Sequence, residues 1–307
     1  MNPTILQPIL NPIKYQRIDP AQVARYVSKH YLDYSYHETI DEFEEPARYT
    51  QPWMISDVIR QQLQATINPV QIFVVDCKGR TVYSNAFTQK QRNVLDPSLY
   101  IYEHTMPLAL FDEGIYFIKV VAGTINYISE PIEIKNVWEN SLLLEYSHYR
   151  FYGDVIFETG FTSALRVLGS LKHFQPASKD TTYEDQSLNQ TMLHSVPYRV
   201  WPLVIGSAIG IPDYLMDKIN LILGCSNLQI DGRYYTKAEG SRMEPTGVEF
   251  YPMRGYRIDM REKYNRMSVL DSGEATMTGV VMIAAASDTK GFGTTNDAAD
   301  AVLTDAV

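Results

Sequence analysis

A chain of 307 residues, 45% apolar and 21% charged, is long enough to bury a substantial core and divides most naturally into two domains. Its net charge of −9, with no run of Lys or Arg to offset it, argues against a sequence-independent grip on nucleic-acid phosphates. No apolar run approaches bilayer length, and the opening MNPTILQPILNP lacks the basic start and long apolar core of a secretory signal, so the chain reads as made in a cytoplasm and remaining soluble.

Residues 1–50 read as an arm. Pro3, Pro8 and Pro12 recur among Ile5, Leu6, Ile9, Leu10 and Ile13, which favours an extended path that cannot bury its own apolar residues. Those residues need a partner surface, either the rest of the chain or a neighbouring subunit. Asp19-Pro20 then has the form of an N-cap followed by proline at the first helical position, opening a short helix to about Tyr31 with Val23, Tyr26 and Val27 on one face. The acidic HETIDEFEEP that follows reads as solvated. His37-Glu38-Thr39-Ile40-Asp41 imitates a zinc-protease helix but has Asp where the second His belongs.

Residues 51–135 predict an immunoglobulin-like β-sandwich. Pro69–Asp76 alternates Ile72 and Val74 against Phe73 and Val75, Gly79 allows a turn, and Thr81–Ser84 returns as the hairpin partner. Leu110-x-x-x-Gly114-x-Tyr116 is a pattern common near the last strands of such sandwiches. Ser129–Ile134 closes this unit, and Ser141–Tyr146 opens the next with almost no linker, so the two domains are expected to move little relative to each other.

Residues 136–285 predict a larger β-rich, sandwich-type domain. Phe151–Phe157 and Phe161–Val167 read as strands, and SLKHFQPASKDTTYEDQ as a polar loop carrying Pro176. Val196–Ile205 resumes an apolar strand in which Pro202 suits an edge or bulge. A helix is predicted at about 212–223, with Leu215, Ile219 and Ile222 on one face and Gly224 as its stop. Asp231-Gly232 in LQIDGRYY is a hairpin signal, and Val248–Phe250, Tyr256–Met260 and Thr278–Ala284 are further strands. Residues 286–307 form an Ala/Asp/Thr-rich tail that cannot make a core alone.

The fold class expected is thus mainly β: two β-sandwich-type domains, the first immunoglobulin-like, with short helices and extended N- and C-terminal arms. Apolar residues of the arms, Ile5, Leu6, Ile9, Leu10, Tyr15, Phe292, Val302 and Leu303, are the candidate interface positions. No catalytic set, cofactor site or metal site emerges: the six histidines are unpaired in sequence, and no phosphate-binding glycine loop or nucleophile elbow is present. Glu130, Glu133, Glu145 and Glu158 lack any fixed glycosidase-like separation. Cys77 and Cys225 read as reduced, buried small hydrophobes, with a disulfide as the lesser alternative. The 22 tyrosines suit strands and interfaces alike.

An ordered string of short pieces carries a resemblance: Ser129–Ile134, Leu144–Ser147, Phe157, Phe161, Arg166-Val167, Gly169, Tyr183–Gln186, Tyr198–Trp201, Gly210–Asp213 and Ile230–Gly232, with looser matches at Asp57–Gln61 and Asp76–Gly79. Over roughly 51–265 the chain resembles virion structural proteins of crAss-like tailed bacteriophages and their relatives infecting Bacteroidota; neither arm matches. The resemblance implies a non-enzymatic neck or tail ring component of the virion, made in the host bacterial cytoplasm and assembled as a homo-oligomeric ring around the DNA channel. Its expected partners are copies of itself and other neck, portal or tail proteins, with viral DNA only passing through a lumen whose acidity would not trap it, and no membrane. Two alternatives stand beside it: a tandem jelly-roll capsid protein, and a carbohydrate-binding β-sandwich using Trp53, Trp138 or Trp201.

Overall fold

The computed structural model describes residues 5–27, 49–206, 210–250 and 253–264, and the fold is mainly β. It divides into two units, one running to Phe174 and including Val200–Arg261, the other comprising Gln175–Arg199 and the residues from Glu262 on. The first unit contains a sandwich and a barrel.

In the sandwich one sheet runs Ile5–Leu6, Val58–Ala65, Tyr100–Pro107, Thr88–Arg92. The other runs Thr81–Ala86, Val70–Asp76, Gly114–Ala122 and then the interrupted strand Ile125–Ser129 and Ile132–Lys135. Gln51–Met54 lies parallel to Ile132–Lys135, and Tyr15–Arg17 lies antiparallel to Ile125–Ser129. This is the strand order of an immunoglobulin-like sandwich. The Tyr116 hydroxyl donates to the Asp112 carbonyl at 3.0 Å, which accounts for the spacing of Gly114 and Tyr116. Trp53, Ile72, Val74, Tyr102 and Ile118 fill the interior between the sheets.

The barrel is one sheet that closes on itself. Ser141–Ser147 pairs with Ser163–Leu171 on one side and Asn227–Ile230 on the other. From there the order passes through Arg233–Lys237 to Met253–Glu262, which pairs with residues 200–205, and these return to Ser163–Leu171. Leu144, Leu165, Leu203, Ile230 and Ile258 point into a core that also takes Leu215, Ile219 and Ile222 of the helix Asp213–Ile222. Gly169 needs to be glycine, because a Cβ there would lie 2.4 Å from the Val204 carbonyl oxygen. Ser163–Val167 is buried without interruption. Leu165 and Val167 serve the barrel core, while Ser163 and Arg166 bond sandwich residues.

Several expectations change. Phe151–Phe157 is not one strand but two short ones, Phe151–Tyr152 and Val155–Ile156, followed by a 3-10 turn, and the next strand starts at Ser163. Gly153 and Asp154, both at positive φ, turn the chain too sharply for a continuous ladder. The stretch read as a polar loop contains the strand Gln175–Glu184. Pro202 sits inside the pairing, opposite Asp259. Its nitrogen faces the same side as its carbonyl, which takes the Lys172 N–H at 2.8 Å just past the end of Ser163–Leu171, so the bond that proline cannot donate falls at that strand end and the ladder with Met253–Glu262 is untouched. The hairpin at Asp231-Gly232 forms with both residues at positive φ, as its two-residue turn requires. Residues 20–22 form a 3-10 turn and 23–27 are helical; Tyr31, His37, Thr278–Ala284 and the 286–307 tail lie outside the described residues.

Candidate interaction surface

The N-terminal arm is seated on its own chain across both subdomains. Ile5 and Leu6 add an edge strand to Val58–Ala65, Ile5 and Ile13 enter the sandwich core, and Leu10 enters the barrel core. Asn11 is fully buried: its amide donates to the Gln62 carbonyl at 2.7 Å and accepts the Gln62 N–H at 2.9 Å. The Gln62 side chain repeats this with Ile156 of the short hairpin Phe151–Ile156, donating at 2.9 Å to its carbonyl and accepting its N–H at 2.9 Å. Lys218 on the barrel helix donates to the Asn11 carbonyl at 2.6 Å, and the Tyr146 hydroxyl donates to the Leu10 carbonyl. A buried ion pair completes the joint: Arg166 donates to both carboxylate oxygens of Asp57 at 2.6 and 2.8 Å.

Of the residues assigned to an interface, Ile5 and Leu10 are therefore core positions, and Tyr15 is half-buried with its hydroxyl donating to Gln61. Leu6 and Ile9 remain exposed. Phe292, Val302 and Leu303 lie outside the described residues.

Lys14, Glu130 and Tyr214 form a polar cluster beside the arm. Lys14 Nζ lies 3.3 Å from Glu130 and 3.5 Å from the Tyr214 ring centroid, and the Tyr214 hydroxyl donates to Glu130. Burial first, and Glu130 second, hold the Tyr214 hydroxyl far above its ordinary titration range. Burial also pulls the Lys218 ammonium down to about 8. Such a cluster anchors the arm; it has no nucleophile poised beside a base.

The second unit presents a different surface. Gln175–Glu184 and residues 190–199 form a ribbon in which no residue is buried. Its turn is set by Asp185, whose carboxylate accepts the backbone N–H groups of Asn189 and Ser187 at 2.9 and 2.8 Å. Those bonds, the one from Asn189 foremost, hold the carboxyl below its usual range. Near this turn Tyr183, Leu188, Met192 and Leu193 are 57%, 77%, 61% and 64% exposed, an apolar tip on a two-stranded ribbon. The interface positions read from sequence miss all four. The available signal was the Asp185-x-x-x-Asn189 turn between Thr- and Tyr-containing runs.

Other candidates disperse. Among the described residues no group of three His, Cys, Asp or Glu could hold a metal. Glu130, Glu133 and Glu158 pair with Lys14, Lys135 and Arg150 respectively. Cys77 and Cys225 are both free; Cys225 is buried as expected, whereas Cys77 is only half-buried. Trp53 is fully buried, Trp201 packs against the barrel core, and Trp138 donates its indole N–H to the Trp53 carbonyl at 2.9 Å. Among the described residues no helix is long and apolar enough to cross a membrane. No protein-family model, curated protein or solved structure matches this chain.

Proposed function

We propose that the protein is a non-enzymatic structural component of a bacteriophage virion, a neck or tail ring protein that assembles as a homo-oligomer around the DNA channel. The observation that carries the assembly is the ribbon 175–199. A two-stranded ribbon with no buried residue is marginal in water, and four exposed apolar side chains at its tip add to the case for a protein surface against them. The placement in a virion rests on the resemblance of residues 51–265 to crAss-like phage proteins. A sandwich and barrel locked by buried polar bonds suit a part whose task is fixed geometry. Partners on this reading are further copies of the chain and adjoining neck, portal or tail proteins, with DNA passing through the lumen.

The immunoglobulin-type order of the sandwich and the six-membered closed barrel both differ from the eight-stranded jelly roll, which weighs against the tandem jelly-roll reading. The burial of Trp53 weighs against an aromatic sugar-stacking face. To test the proposal, the purified chain is followed by size-exclusion with light scattering and negative-stain microscopy. Closed rings are expected for the native chain and loss of them for Leu188→Asp with Met192→Asp. A variant that keeps its circular dichroism spectrum and still forms rings would defeat the role given to the ribbon.

A further inference from the structure

We infer that the N-terminal arm is an exchangeable strand, donated in the assembly by one copy to the seat of the next. The inference rests on the ring reading and names the link between subunits. The arm behaves as a ligand of the rest of the chain. It keeps its own shape through Gln7, whose side chain donates to the Ile13 carbonyl at 2.6 Å and accepts the Tyr15 N–H at 3.2 Å. It meets its seat only through non-covalent contacts: strand pairing at Val58–Ala65 and Ile125–Ser129, Leu10 in the barrel core, and the bonds to Gln62, Tyr146 and Lys218.

None of these contacts depends on which copy supplies the arm. Vacating the seat would leave two bare sheet edges and strip the buried Lys218 and Tyr146 of their acceptor, so every seat must hold an arm. Residues 28–48 join the arm to the body. Fully extended, such a stretch spans about 70 Å, ample to reach a subunit in contact. In a closed ring each copy can give one arm and receive one, leaving no seat empty and requiring no new complementary surface.

Arg17 and Tyr127 face each other in the pairing of arm and seat, which supplies the test. Arg17→Cys and Tyr127→Cys are placed together in the full-length chain with Cys77→Ser, the assembled protein is oxidised, and the products are resolved on a denaturing gel without reductant. Covalent dimers and a ladder above them are expected. Monomers linked only internally, taken from intact rings, would overturn the exchange and leave the ring reading standing. Size-exclusion before oxidation reads the ring separately, so linked dimers without rings would support the exchange and overturn the ring.

Discussion

At the scale of single residues, buried polar groups hold the first unit together. Asp57 and Arg166 have side chains 3% and 7% exposed, and Asp57 also accepts the Met54 N–H at 2.8 Å. Removing one partner of such a pair leaves an uncompensated charge, so Arg166→Met is expected to lower unfolding stability in urea by about 3–5 kcal/mol. Asp57→Asn combined with Arg166→Met should cost less than Arg166→Met alone, because the stranded carboxylate is gone. Lys218 makes a prediction in pH. Its folded value of about 8 lies below the ordinary 10.5, so above pH 8 the folded state binds fewer protons than the unfolded one and stability rises. The rise, at most about 1.4 kcal/mol per pH unit, is cleanest between pH 8 and 9. Above that the buried Cys225 thiol, pushed up to about 12, opposes it, and beyond pH 10 so do Tyr15, Tyr49, Tyr146 and Tyr214, all raised chiefly by burial. Urea unfolding at pH 7.5, 8.5 and 9 should show the increase, and Lys218→Met should flatten it. Several of the 22 tyrosines thus tether backbone and side-chain acceptors from buried positions, a use that composition alone does not separate from strand packing or interface.

At the scale of elements, Gly153 shows how tightly the arm is seated. It has φ +55°, and a Cβ there would lie 2.5 Å from Leu10 Cγ. Gly153→Ala should therefore cost about 1–3 kcal/mol through overpacking and backbone strain, with faster amide exchange at Ile5–Leu6 and its partners Gln64 and Ala65. Leu10→Ala, which opens a cavity in the barrel core, should cost about 2–5 kcal/mol despite lying at the edge of the chain. The strands at 70–76, 114–122 and 141–147, the Asp231-Gly232 hairpin and the helix after Pro212 were legible because local alternation and turn chemistry decide them. The strand Gln175–Glu184 was not, since with no buried face it carries no apolar alternation. Barrel closure was equally hidden: alternation says which face Leu203 and Ile205 present, not that they pair with Ile258 and Tyr256 across fifty residues of chain. The Asp57–Arg166 pair joins residues that no short motif connects, and the ribbon tip was overlooked because isolated Leu and Met in polar surroundings read as loop.

At the scale of the whole molecule, the sandwich and barrel are built as one piece. Ser163–Leu171 gives one face, with Leu165 and Val167, to the barrel core, presents Arg166 on the other face to Asp57 of the sandwich, and at its first residue bonds Ser163 to the Arg60 carbonyl. The arm fills both interiors, so a rotation between them would break Asn11, Gln62 and Arg166 contacts together. On the proposed ring reading the angle between neighbours sets the subunit number, so the joint between sandwich and barrel has to hold its geometry. The most direct measurement is negative-stain class averaging of the purified full-length chain at increasing concentration. Closed rings of a single rotational symmetry with an open centre are expected; a monomer at every concentration, or open filaments without closure, would contradict the proposed ring.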